Sequence, residues 1–149
     1  MSTDPSGRPV EILLVDDDPE YVRLTREGLR EAGVPSSVNV VRDGDEALAY
    51  LRGEGEYAAA LLPDLILLDL KMPRPSGLEV LRAIKADATL RGIPLIVLTT
   101  SEAPDDILRA YDLQASAYVT KPSDLEEFQQ MINALPGSCL AVVKLPPRP

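Results

Sequence analysis

The sequence predicts an α/β fold, doubly wound around one parallel sheet. Five short apolar runs alternate with five segments whose apolar residues recur at helical spacing. The run at residues 65–68 is apolar on both faces, which fits a strand buried between two helical layers. Each of several runs also ends in a side chain that carries chemistry: Asp16 and Asp17, Asp69, Thr99, and just past the last run Lys121. Right-handed crossovers would gather those ends along one edge of the sheet.

In chain order, residues 1–9 are rich in Ser, Pro, Gly and Asp and read as a flexible leader. Residues 11–15, EILLV, form the first strand. Asp18 before Pro19 is an N-cap followed by proline at the first helical position. The helix that follows sets Val22, Leu29 and Ala32 on one stripe and stops at Gly33. Residues 38–41 are the second strand; residues 44–51 are the second helix, with Ala47, Leu48 and Leu51 inward. The connection over residues 53–62 exceeds the usual short loop.

The third strand, residues 65–68, lies within PDLILLDLKMPRPSG and ends at Asp69. A third helix begins near Gly77, with Leu78, Leu81, Ile84 and Ala88 in register. Residues 94–98 make the fourth strand, leading into Thr99-Thr100-Ser101. A fourth helix starts at Pro104, turning Ile107, Ala110 and Tyr111 to the sheet and leaving Leu108 near solvent. Residues 117–120 are the fifth strand, followed by Lys121-Pro122. Ser123 caps a fifth helix whose inner face is Leu125, Phe128, Ile132 and Leu135, with Met131 surplus and outward. The expected domain spans residues 10–135, and residues 136–149 form a tail containing the apolar segment LAVVKL.

With strand order 2-1-3-4-5, the flavodoxin-like arrangement, the switch point lies between strands one and three. Asp16, Asp17 and Asp69 then meet in one crevice. Three carboxylates gathered there call for a cation, and a donor set of oxygen without histidine or cysteine favours Mg²⁺ or a similar hard ion such as Mn²⁺ over zinc.

Composition narrows the function further. The chain has 149 residues and a net charge of −9, which argues against nucleic-acid and anionic-membrane binding. No apolar stretch is long enough to span a bilayer, and the N-terminus lacks the basic start and apolar core of a signal peptide, so a cytoplasmic protein is expected. The single Cys139 permits no internal disulfide or thiolate cluster. There is no histidine, so any phosphohistidine must come from a partner.

Val15-Asp16-Asp17, Leu68-Asp69-Leu70-Lys71-Met72-Pro73, Leu98-Thr99 and Tyr118-Val119-Thr120-Lys121-Pro122 together resemble the receiver domain of bacterial two-component response regulators. The resemblance covers about residues 10–135. It implies that Asp69 is phosphorylated, as 4-aspartylphosphate, by the phosphohistidine of a sensor histidine kinase. It implies that Asp16, Asp17, Asp69 and the backbone carbonyl of Lys71 hold Mg²⁺, and that Thr99 and Lys121 bind the phosphoryl oxygens. Tyr118 would be the aromatic whose rotamer follows activation. Lys71 and Ser101, two residues after Asp69 and Thr99, offer no group suited to orient water, which implies a long-lived phosphoryl group.

The long connection at residues 53–62 and the Leu98-Thr99-Thr100-Ser101 sequence look like the stand-alone receivers paired with bacterial phytochromes. No effector domain is expected after residue 135. The output would pass to a downstream protein through the surface of helix four, strand five and helix five, or the chain would shuttle phosphoryl groups to a histidine phosphotransfer protein. The same surface is expected to join a homodimer. Either way the chain is a phosphoacceptor signalling protein rather than an enzyme. A haloacid-dehalogenase-type phosphatase needs an Asp two positions after the nucleophile, where Lys71 stands. A flavodoxin-like cofactor protein needs a glycine- and hydroxyl-rich phosphate loop, where Asp16-Asp17-Asp18 would repel phosphate.

Overall fold

A computed structural model describes residues 9–72, 75–100 and 104–134, apart from the side chains of 104–106. The expectations for most of the leader, for Ser101, for Leu135 and for the tail lie outside the described residues.

Five parallel strands run in the order β2-β1-β3-β4-β5. They are β1 (Val10–Val15), β2 (Ser36–Val41), β3 (Leu65–Leu68), β4 (Leu95–Thr99) and β5 (Ala117–Thr120). The helices are α1 (Pro19–Glu31), α2 (Gly44–Arg52), α3 (Gly77–Ala86), α4 (Pro104–Asp112) and α5 (Leu125–Asn133). The long connection after α2 is held by a short 3₁₀ turn, Gly55–Tyr57, whose Tyr57 hydroxyl donates to Glu46 Oε2 at 2.9 Å. β1, β3 and β4 are buried along nearly their whole length, as their unbroken apolar runs require.

Strand alternation divides the core in two. Leu13, Val15, Ile66, Leu68, Leu95 and Val97 pack under α2, α3 and α4, with Val80, Ile84 and Ala110. Ile12, Leu14, Leu65, Leu67, Ile96 and Leu98 pack under α1 and α5, with Leu29, Phe128 and Ile132.

Helix starts follow the sequence. Asp18 caps α1, accepting from the Glu20 amide, with proline next in line. Ser76 and Glu79 form a reciprocal capping box at α3. At α5 the cap is Asp124, which accepts from Glu127 N, and not Ser123. Ser123 instead donates from its backbone and hydroxyl to Glu127 Oε1. Both residues are good caps; the turn after Lys121-Pro122 decides which one reaches the third helical amide.

Several inward faces differ from expectation. In α1 the buried stripe is Tyr21, Thr25, Gly28 and Leu29, with Val22 and Ala32 only half-buried at its edges. α3 ends at Ala86, so Ala88 lies beyond it and is exposed, while Val80 takes the inner position. Tyr111 is 52% exposed and Met131 only 7%, the reverse of the expected pair. Among the described side chains of α4, Ala110 is the buried one against the sheet and Tyr111 turns outward; Met131 packs in the core under α1 and α5.

Candidate functional site

β1 and β3 are adjacent, in register Val15 to Leu68, so the residues that follow each strand emerge side by side. The amide of Asp16 donates to Val41 O at 3.0 Å, and that of Asp69 to Val15 O at 3.1 Å. These bonds extend the sheet by one residue and hold both carboxylates at its edge. Asp16 and Asp69 are buried, and Asp17 is exposed at the mouth. Ligand oxygens of the three acids lie within 4.8 Å of one another.

Asp69 is fixed from two sides. Its Oδ1 accepts from the Lys71 amide at 2.9 Å, and its Oδ2 lies 3.4 Å from Lys121 Nζ. The Lys71 side chain itself turns to solvent. Gly77, opening α3, permits this geometry: a Cβ there would come within 2.4 Å of Leu70 Cα and 2.5 Å of Asp69 O. Helix and strand exit therefore approach backbone to backbone only because the residue has no side chain.

Lys121 reaches the same point from β5. Its amide donates to Thr99 O at 3.1 Å, which brings the ends of β4 and β5 together. Its ammonium lies 2.8 Å from Asp16 Oδ2 and 4.7 Å from the centroid of the Tyr21 ring. Burial alone would lower the lysine's affinity for its proton. The carboxylates of Asp16 and Asp69 outweigh that and hold its pKa above the usual value. For Asp16 burial dominates and, with the like charge of Asp69, raises its pKa against the pull of Lys121 and the Asp18 amide.

The residues present fit a hard divalent cation. Three carboxylates face one small volume with one lysine between two of them, so negative charge is in excess. Asp16 Oδ2 is buried, and its close partner is the Lys121 ammonium at 2.8 Å. An all-oxygen donor set suits Mg²⁺ or Mn²⁺.

Thr99 is buried at the end of β4. It shares strand parity with Leu95 and Val97 and so belongs to the α2-α3-α4 face. Tyr118, half-buried on β5, packs against that same core. Asp16, Asp17, Asp69, Lys71, Thr99, Lys121 and Tyr118 thus come to one edge of the sheet or the strand beside it. Tyr21 was missed, because α1 was phased on Val22. The spacing 21, 25, 28, 29 carries the correct phase, but Thr25 and Gly28 hide it from an apolar count.

Residues 12–133 match the family model described as response regulator receiver domain. Response regulator Rcp1 of Synechocystis sp. is 39% identical over 144 residues, 97% of this chain and 98% of that protein. A crystal structure of the phosphorylated cyanobacterial phytochrome response regulator RcpA is 50% identical, covering 83% of this chain and 89% of that one with a TM-score of 0.77. The Mn²⁺-bound form of Rcp1 has a TM-score of 0.79 at 37% identity, over 87% of this chain and all of that one. Sheet order, the acidic edge and a family match over nearly the whole described chain agree: this protein belongs to the response regulator receiver domains.

Proposed function

We propose that the protein is a phosphorylation-controlled signalling switch in which Asp69 accepts a phosphoryl group from the phosphohistidine of a sensor histidine kinase. The observation that carries the reading is the buried Asp69 carboxylate, pinned by the Lys71 amide and facing Lys121 within a cluster of three acids. In the transfer an Asp69 oxygen forms the new P–O bond, the P–N bond to the partner's imidazole breaks, and the imidazole leaves with the electron pair. Because the chain has no histidine, the donor is a separate molecule or segment.

Asp16, Asp17, Asp69 and the Lys71 carbonyl would hold Mg²⁺, with Mn²⁺ able to substitute. When bound, the ion supplies charge neutralisation for the approach of two anions. Lys121 contributes a second positive charge, and the Lys71 N–H orients the attacking carboxylate. Thr99 and Lys121 would bind oxygens of the attached phosphoryl group. A hydroxyl drawn toward it from Thr99 would act on the α2-α3-α4 face, where Tyr118 also packs, and so alter α4 and its flanks.

The phytochrome response regulators among the relatives support a phytochrome-type kinase as the donor. A cytoplasmic location fits such a partner. The exposed Leu108 and Tyr111 of α4 support recognition of a downstream protein, or of a second copy, through the α4-β5-α5 surface. Acetyl phosphate with Mg²⁺ should add one phosphoryl mass to the wild type and none to Asp69→Asn. Equal labelling of the variant, or labelling unaffected by a chelator, would reject the assignment.

A further inference from the structure

We infer that Tyr21 is a positioning residue for Lys121, its ring acting as a neutral platform that holds the ammonium between Asp16 and Asp69. This deepens the proposed function and rests on the role of Lys121 given there.

The inference starts from the surroundings of the ammonium. Lys121 Nζ has three N–H donors and one flexible stem. Asp16 Oδ2 stands 2.8 Å away, Asp69 Oδ2 3.4 Å away, and the Tyr21 ring centroid 4.7 Å away. A cation at that distance over a buried aromatic face is attracted by the ring's quadrupole. Tyr21 is only 4% exposed, so little water competes for that contact. Its place is fixed by the helix: the Thr25 hydroxyl donates to the Tyr21 carbonyl at 2.9 Å, and the ring belongs to the core under α1 and α5.

The chemistry explains why a ring suits this position. Another carboxylate would hold the ammonium too, but would quench the charge that a phosphoryl oxygen must feel. An aliphatic side chain would leave the charge intact but offer it nothing. The aromatic face attracts the cation and leaves its net charge available. The phenol oxygen takes no such part: it is buried and hydrogen-bonds to none of Lys121, Asp16 or Asp69. The ring therefore carries the effect, and the hydroxyl is dispensable.

The test is the rate at which acetyl phosphate and saturating Mg²⁺ label the protein, followed by intact mass, in the wild type and in Y21F, Y21L, K121M and K121M/Y21L. Removing the ring in Y21L should cut the maximal rate by about tenfold, the scale of a desolvated cation–π contact. The donor concentration at half-maximal rate should hold within about twofold, and Y21F should label within about twofold of the wild type, the ordinary scatter for independent sites. In the K121M background, Y21L should cost nothing further, because its effect runs through the lysine. Tyr21→Met serves the same comparison if Y21L does not fold. A wild-type rate in Y21L, or a full tenfold loss added to that of K121M, overturns the inference while leaving Lys121's role intact. A wild-type rate in K121M overturns the reading of Lys121 on which the inference stands.

Discussion

The two faces of the sheet are built from alternate residues of the same strands, yet they are closed differently. On one face α1 and α5 press together. A Cβ on Gly28 would lie 2.2 Å from Phe128 Cδ1, and Gln129 Nε2 donates to the Gly28 carbonyl at 2.8 Å. Phe128 is wholly buried there. On the other face the described side chains of α4 meet the core through Ala110, with Ile107 half-buried, and show Leu108 and Tyr111 to solvent, 61% and 52% exposed. Thr99 and Tyr118 belong to this second face. The lesson is one of placement. The residues proposed to sense the phosphoryl group lie beside the lightly held helix, while the lysine and its ring platform lie beside the tightly held pair. A switch needs one element that moves and a frame that does not.

The contrast can be broken most severely at its rigid side. Phe128→Ala should destabilise the protein by about 3–5 kcal/mol, measured by urea unfolding, because a fully buried ring is removed from a packed site. A loss near that of a surface substitution would mean that the α1-α5 contact is not the frame. Gly28→Ala tests the same contact from the other helix. Alanine favours a helix by roughly 0.5–1 kcal/mol over glycine. Overpacking against an immobile ring costs about 1–3 kcal/mol, so the clash should win and the variant should be less stable.

On the opposite face, Leu108→Glu with Tyr111→Glu should change the unfolding stability of the single chain by no more than about 0.5 kcal/mol, since both side chains are more than half exposed. If α4-β5-α5 joins two copies, light scattering should give twice the chain mass for the wild type and the single mass for this variant. A wild type that stays monomeric, phosphorylated or not, removes the dimer from the proposal.

A pH-dependent effect belongs to the turn packed outside α2. Burial, reinforced by its bond to Glu46 and by nearby acids, pushes the Tyr57 phenol up to about 12. A group whose pKa rises on folding adds stability that is present below its unfolded value, near 10, and is lost as pH climbs through the folded value. Thermal melts across pH 10–12 should therefore fall more steeply for the wild type than for Tyr57→Phe. Parallel curves would show that the phenol is not coupled to folding.

Much of this molecule could be read from residues alone because the signals were local. A run such as Leu65-Ile66-Leu67-Leu68, apolar at every position, fits a strand covered on both faces, and five strand-like runs alternating with helical spacing point to a parallel sheet. The strand-end acids, Thr99 and Lys121 then fall at one edge as a matter of topology. The strand ends themselves moved slightly: β2 begins at Ser36 rather than residue 38, and β4 spans Leu95–Thr99 rather than 94–98. Such limits depend on where neighbouring chains offer hydrogen bonds, which no single strand encodes.

Tertiary packing decided what depends on distant partners. Tyr21 lies under Lys121 because α1 is phased by the close approach of Gly28 to Phe128, one hundred residues away in sequence. Met131 is buried in the core that α1 and α5 share, and Tyr111 is exposed where the small Ala110 takes the position against the sheet. Asp124, not Ser123, caps α5 because the turn from β5 delivers it there. Periodicity tells which side chains share a helix face; only the neighbouring elements determine which of those faces turns inward, because burial is a property of the contact between two surfaces.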